Sequence, residues 1–270
     1  MLTRAVGPLI LLPMKFRTTL VRLLRMLVAS IGLLLSGLPY ALCATDELAR
    51  PVTLHYIHRP PYMMMAGDTL TGLTGAPSFK AFQKAGVPFE LSETPFARQL
   101  HMLQTNTGMD CMIGMFKKPE RLPFAKFTKP IFRDGTSVIL TTPSLGPRMA
   151  AMGSIEDLLG SPDLVFLVKL GYSYGVAMDA LIEKKRPTTH KTTEGNLQMV
   201  KSIHLGMADY MVISPVEATK TIAAAGLAQS DFKQVRFKDM PAGEYRHIMC
   251  SKNVPDSTIA KLNAVIRSPR

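Results

Sequence analysis

The chain reads as an α/β protein built on parallel sheets, and three observations carry that prediction. From Pro51 onward, strand-like and helix-like segments alternate along the chain, the pattern of helices packed against parallel sheets. Asp110 to Met115 is a short apolar run with a β-branched centre, as in a strand buried on both faces. With 270 residues, 47% of them hydrophobic, the chain has material for one sizeable core or two small ones.

Taken in order, Val52 to Ile57 reads as a strand, Ser78 to Ala85 as a helix stopped by Gly86, and Val87 to Leu91 as a second strand. Pro95 opens a helix to Gln104, where Phe96 anchors to the core and Arg98 is placed at the cleft or on the surface. After the Asp110 strand comes an extended pair, Lys126 to Ile131 and Thr136 to Thr141. The Pro- and Gly-rich segment from Pro143 to Gly153 interrupts the alternation, so the crossing to a second unit is expected there. In that unit Ser154 caps a short helix and Leu164 to Val168 is a strand. Helices follow at Tyr174 to Lys184 and Asn196 to Leu205, then a strand at Ala208 to Ile213 and a helix from Pro215 to Ala225. Arg246 to Cys250 reads as a returning strand and Asp256 to Arg267 as a final helix.

Ahead of this body, Lys15, Arg17, Arg22 and Arg25 precede an apolar run from Met26 to Leu38 and a small-residue end at Ala44, the layout of a secretory leader. Residues 1–44 are therefore expected to be a signal peptide cleaved near Ala44, with Met14 as an alternative start. The run is shorter than the roughly 20 residues a spanning helix needs. The leader takes five cations and no acid from the net charge of +12, and the remaining 27 basic and 20 acidic residues leave +7. These cations are scattered, Trp is absent, and no basic run is interleaved with aromatics, which excludes a nucleic-acid partner.

Export bears on the cysteines. Once Cys43 has left with the leader, Cys111 and Cys250 remain, each in an apolar run. Two inert buried thiols and a disulfide both fit, whereas the absence of C-x-x-C argues against redox or zinc chemistry. His55 and His58 bracket a strand end and point to different faces, so no metal site is expected, and no cofactor motif is present.

The run from Gly108 to Arg121, G-x-D-x-x-x-G-x-x-K-x-P-E-R, is followed by a Phe and a Pro-bearing strand. Pro60-Pro61-Tyr62, Pro95-Phe96-Ala97-Arg98, Ser154 to Leu158, Gly171 to Gly175, Glu194 to Leu197 and Cys250-Ser251-Lys252 accompany it in a fixed order. Together these pieces resemble the periplasmic solute-binding proteins of ABC importers, of the polar amino-acid-binding type, over residues 52 to 268. The resemblance implies a type II periplasmic-binding fold with two lobes closing on a ligand: 45–142 plus 242–270 for lobe 1, 143–241 for lobe 2. It also implies a small-molecule ligand, an inner-membrane ABC permease as partner, a monomer, and no enzyme activity; a stand-alone periplasmic sensor differs only in the partner. On the same topology the returning strand would run antiparallel to the Asp110 strand and bring Cys111 and Cys250 together far from the cleft.

For the site, the resemblance singles out Arg121 for an anionic ligand group, aided by the Gly171 to Tyr174 turn, where Ser173 and Tyr174 sit at a helix N-terminus. Tyr62 and Phe116 would meet an apolar ligand body. Phe116 stands where a carboxylate-holding hydroxyl is common, and Ser214 stands where an Asp pairs with the ligand ammonium. A small anionic or strongly polar ligand is therefore expected, and weak binding of ordinary α-amino acids; Glu194 and Asp209 are the nearest replacement acids. Gly171-Tyr172-Ser173-Tyr174-Gly175 also matches the G-x-S-x-G nucleophile elbow, with Asp209, Asp231 or Asp239 and then His247 in hydrolase order. A secreted serine hydrolase is thus the alternative.

Overall fold

A computed structural model describes residues 50–269; the expected leader, with Cys43, lies outside the described residues. In chain order the elements are β1 (Val52–Tyr56), β2 (Met64–Ala66), β3 (Thr69–Thr71), α1 (Gly75–Ala85), β4 (Phe89–Glu93), α2 (Phe96–Thr105), β5 (Asp110–Phe116), β6 (Ala125–Arg133) and β7 (Val138–Thr141). Next come α3 (Gly146–Ala150), α4 (Ile155–Leu159), β8 (Phe166–Lys169), α5 (Val176–Lys185), β9 (Thr189–Thr192), α6 (Asn196–His204), β10 (Tyr210–Ile213), α7 (Pro215–Ala224), β11 (Lys233–Val235), β12 (Tyr245–Ser251) and α8 (Asp256–Val265). Short 3₁₀ turns lie at Pro119–Arg121 and Gln229–Asp231. Among the described residues no helix is long and apolar enough to cross a membrane.

Two five-stranded sheets organise the chain, in the orders β4-β1-β5-β12-β6 and β11-β7-β10-β8-β9. In the first, β1 is parallel to β4 and β5, while β12 runs antiparallel between β5 and β6. In the second, β10, β8 and β9 are parallel and β7 runs antiparallel to β10 and β11. Each sheet is the centre of a lobe. The crossing is earlier than the Pro143–Gly153 segment suggested, because β7 already belongs to the second sheet. That Pro- and Gly-rich segment contains α3, which starts at Gly146-Pro147 and buries Met149, so its composition marks a helix start. The chain changes sheet at 134–137 and returns at 236–244. The two passages lie side by side, with Asp134 N–H donating to Glu244 C=O at 3.0 Å. Gly243 is required here, since a Cβ would stand 2.0 Å from the Asp134 carbonyl oxygen.

Alternation along the central strands explains why both sheet faces carry helices. In β10, Tyr210 and Val212 enter the cluster of Phe166 and Ile139, whereas Met211 and Ile213 enter the opposite cluster of Leu140 and Leu167. A strand with two apolar faces is stable only when covered on both. In β5 the alternation is re-phased. Cys111 and Ile113 face the cluster of Leu54 and Phe82, and Met112 faces that of Phe96 and Leu103, yet Met115 falls with Met112. The cause is a bulge, visible as the register shift opposite His247 and Met249 and centred on Gly114 at φ +73°, a conformation for which glycine pays no Cβ penalty.

Cys111 and Cys250 sit directly opposite in the β5–β12 register and are joined by a disulfide across a Cα–Cα distance of 4.0 Å. Both are fully buried. The loop after β1 holds a small hairpin, β2–β3, turned at Gly67-Asp68, a Gly-Asp turn between two short runs that carry too few residues to show an alternation of their own.

Candidate functional site

The parallel strands of both sheets end on a shared cleft: β1 runs into Arg59 and Tyr62, β5 into Phe116 and Arg121, β8 into Lys169 and the Gly171–Gly175 turn, and β10 into Ser214 and Glu217. Strand ends of this kind are where open α/β sheets place ligands. Antiparallel β12 contributes Arg246 from its start. A cavity of about 50 Å³ is lined by Arg59, Tyr62, Phe116, Lys169, Ser173, Tyr174, Ser214, Glu217 and Arg246, and a second of about 30 Å³ by Phe96, Gln99, Met115, Phe116 and Arg121. Volumes of this size hold a few water molecules.

Among the described residues, ion pairs and an aromatic contact join the lobes. Arg59 Nε donates to Glu217 Oε1 at 2.6 Å and its Nη2 to Oε2 at 2.8 Å, and it also donates to the Tyr172 hydroxyl. Lys118 Nζ meets Asp179 Oδ2 at 2.6 Å. The Tyr172 ring packs on Phe96, with centroids 5.1 Å apart. Burial works against the Arg59 charge, but Glu217 and the two tyrosines outweigh it and raise its pKa well above the usual value.

The cations of the cleft divide into paired and unpaired. Arg246 is held by Asp134, with Nε–Oδ2 at 2.7 Å and Nη2–Oδ2 at 2.6 Å, and donates to Gly114 C=O at 2.8 Å. Burial opposes its charge and Asp134 restores it, for a net rise in pKa. Arg121 is 6% exposed and has one protein partner, the Phe116 carbonyl, at 3.0 Å. Among the described residues no carboxylate pairs with it, and burial lowers its pKa. Among the described residues Lys169 likewise forms no ion pair with an acid; burial, and then Arg59 nearby, lower its pKa.

Of the residues singled out from the sequence, Tyr62, Phe116, Ser173, Tyr174 and Ser214 line the first cavity, and Arg121, Phe116 and Ser173 line the second. Arg98 lines neither and is exposed on α2, because the buried positions of that helix fall at Phe96, Gln99 and Leu103. Tyr62 and Phe116 are covered differently from expectation. The Arg59 guanidinium lies 4.5 Å from the Tyr62 ring centroid, and the Arg246 guanidinium lies 5.1 Å from Tyr62 and 4.3 Å from Phe116. Cations therefore occupy the faces assigned to an apolar ligand body.

The glycine turn is also filled from within. Tyr174 N–H donates to Asp179 Oδ1 at 2.8 Å, Ser173 Oγ donates to Asp179 Oδ2 at 2.6 Å, and Ala177 N–H donates to Glu244 at 3.2 Å. Asp179 and Glu244 thus stand where the turn was expected to hold the ligand. The same geometry removes the nucleophile elbow: Ser173 faces a carboxylate, and His247 on the other lobe bonds Thr128 C=O through Nδ1 at 2.8 Å. Asp209, Asp231 and Asp239 accept from the backbone N–H groups of Val165, Ala228 and Ile155. His55 is spent in the core between Asp110 and Thr94.

Glu217, Asn196, Lys169, Asp134 and Arg246 were missed as site residues. Glu217 carried a signal in Ser214-Pro215-Val216-Glu217, which has the capping-box form. Ser214 does accept from Glu217 N–H at 3.2 Å, but the Glu217 side chain leaves the box for Arg59 and for Asn196 Nδ2, at 2.7 Å.

No protein-family model matches the chain, and no curated protein matches it. Solved structures do. The chain is similar to an ancestral arginine-binding protein bound to arginine, at 18% identity and TM-score 0.59, covering 80% of this chain and 90% of that one. A second is an amino acid ABC transporter substrate-binding protein from Streptococcus pneumoniae bound to L-arginine, at 13% and 0.62, covering 82% and 88%. A third is the arginine-, lysine-, histidine-binding protein from Geobacillus stearothermophilus, at 18% and 0.61, covering 80% and 88%. These likenesses establish the fold as the two-lobed one of substrate-binding proteins.

Proposed function

We propose that this chain is an exported, monomeric solute-binding protein without enzyme activity, which captures a small anionic or strongly polar molecule between its lobes and delivers it to an ABC permease of the inner membrane. The observation that carries this reading is the buried Arg121 guanidinium, with one carbonyl partner and no carboxylate. The remaining donors of Arg121 face the second cavity rather than a protein acceptor, and a ligand carboxylate or phosphate fits the guanidinium fork. Lys169 adds a second uncompensated charge in the cleft. Arg59 and Arg246 add none, being neutralised by Glu217 and Asp134.

The same balance speaks against zwitterionic α-amino acids. Ser214 offers no charge to an ammonium, and Glu217 is already taken by Arg59 and Asn196. A lost charge-assisted partner weakens binding by about 1.5 to 3 kcal/mol, or roughly one to two decades. Calorimetry with the twenty amino acids and a panel of small carboxylates and phosphates tests the reading. Micromolar binding by an anion, abolished by Arg121→Ala, is the expected result; micromolar binding of a common amino acid, or anion binding unchanged in Arg121→Ala, overturns it.

A further inference from the structure

We propose that Arg59 is a specificity-determining residue whose guanidinium is the resident occupant of a guanidinium-binding box in the cleft, and thereby shuts cationic ligands out. The box has three walls and one orienting residue. Glu217 takes the guanidinium fork with both carboxylate oxygens, at 2.6 and 2.8 Å, and is oriented by Asn196 at 2.7 Å. Tyr62 stands over the guanidinium carbon at 4.5 Å, and Tyr172, whose ring centroid lies 5.2 Å away, accepts from the guanidinium through its hydroxyl. A bidentate carboxylate, an aromatic face and a phenol acceptor are the arrangement that recognises a planar, delocalised cation rather than an ammonium.

What distinguishes this box from an ordinary interlobe ion pair is who fills it. Arg59 comes from the loop after β1 in one lobe, while Glu217, Asn196 and Tyr172 come from the other. The pair is nearly dry, with side-chain exposures of 12% and 1%. A ligand guanidinium would need this same carboxylate, yet Glu217 cannot serve two forks. Solved relatives of the same fold are described as bound to arginine; here the chain supplies an arginine side chain of its own. The cleft can therefore close with its cationic position already filled, and selectivity passes to the cations that, among the described residues, have no carboxylate partner, Arg121 and Lys169.

This inference rests on the cleft being the ligand site, but its test does not need the natural ligand. Replacing Arg59 with Gly should leave a guanidinium-shaped space facing a buried, unpaired Glu217. Thermal unfolding of Arg59→Gly with 10 mM methylguanidinium should then shift upward by roughly 5 °C, saturably. The unaltered protein should not shift, urea as the neutral isostere should have no effect, and Arg59→Gly with Glu217→Gln should lose the response. Absence of a saturable shift in Arg59→Gly, an equal shift in the unaltered protein, or a response that survives Glu217→Gln overturns the proposal. Calorimetric titration of the unaltered protein with L-arginine and L-lysine should give no binding, and binding of either overturns it even if the glycine variant is not recovered. Failure of anion binding at Arg121 would overturn the proposed function and leave these outcomes unchanged, whereas binding of L-arginine or L-lysine would overturn both readings; the methylguanidinium response of Arg59→Gly tests the inference alone.

Discussion

Lys118 Nζ on the first lobe lies 2.6 Å from Asp179 Oδ2 on the second, and the same carboxylate accepts from Ser173 Oγ and Tyr174 N–H. One acid thus ties the glycine turn to the opposite lobe. Burial opposes the Lys118 charge, but Asp179 and then Glu120 raise its pKa overall. Asp179→Asn should keep the shape, lose the charge-assisted bonds and cost about 2 kcal/mol of unfolding free energy. Urea denaturation measures this, and a loss below a few tenths of a kcal/mol would mean that the contact is as weak as an exposed surface pair.

Alkaline pH should lower stability through Tyr62. Burial, and then Asp134, push the Tyr62 phenol from 10.0 up to about 12, against the pull of Arg246 and Arg59. Because the folded value is the higher one, this stability is complete below pH 10 and is lost as pH rises toward 12. Up to about 2 kcal/mol is at stake, with Lys118 acting in the same direction. Denaturant titrations at pH 9 and pH 11.5 should show the loss, and Tyr62→Phe should reduce it. An identical pH slope in Tyr62→Phe would assign the effect to other groups.

The disulfide gives a chemical prediction. With Cys111 bonded to Cys250 over a separation of 139 residues, material beginning after Ala44 should show no free thiol in denaturant without reductant. Replacing both cysteines with Ala should lower stability by on the order of 4 kcal/mol by loop entropy, less whatever strain is relieved. Two titratable thiols in the exported protein would remove the bond from the account.

The sequence made the alternation of strands and helices legible because burial on two faces leaves continuous apolar runs such as Asp110 to Phe116 and Tyr210 to Ile213. Ordered short motifs located Arg121, Phe116 and Tyr62 near one another. What could not be read was pairing across the cleft. Nothing local shows that Arg59 and Glu217, 158 residues apart, face each other, or that Asp179 sits in the turn expected for a ligand. Charge neutralisation depends on the closed geometry, so the family resemblance pointed to Ser214 while the acid that pairs with Arg59 stands three residues further on. The position of the crossing failed for a related reason. Antiparallel β7 joins the second sheet through its register with β10, and a four-residue apolar strand carries no mark of which sheet it enters.

Gly114 offers the sharpest test of how backbone geometry sets the site. At φ +73° it forms the bulge that re-phases β5, and its carbonyl accepts from Arg246 Nη1 at 2.8 Å. An alanine there would occupy left-handed space at about 1–2 kcal/mol. Its Cβ would also stand 3.3 Å from Thr74 Oγ1, tight enough that Thr74 must yield. Relaxing the bulge would turn Met115 toward the opposite face and withdraw the carbonyl from Arg246, whose guanidinium covers both Phe116 and Tyr62. Gly114→Ala should therefore lower stability by about 2 kcal/mol and weaken anion binding, although residue 114 contacts the ligand with no side chain. Denaturation and calorimetry on the same preparation separate the two effects. Normal ligand affinity in a destabilised Gly114→Ala protein would show that Arg246 holds its place through Asp134 alone.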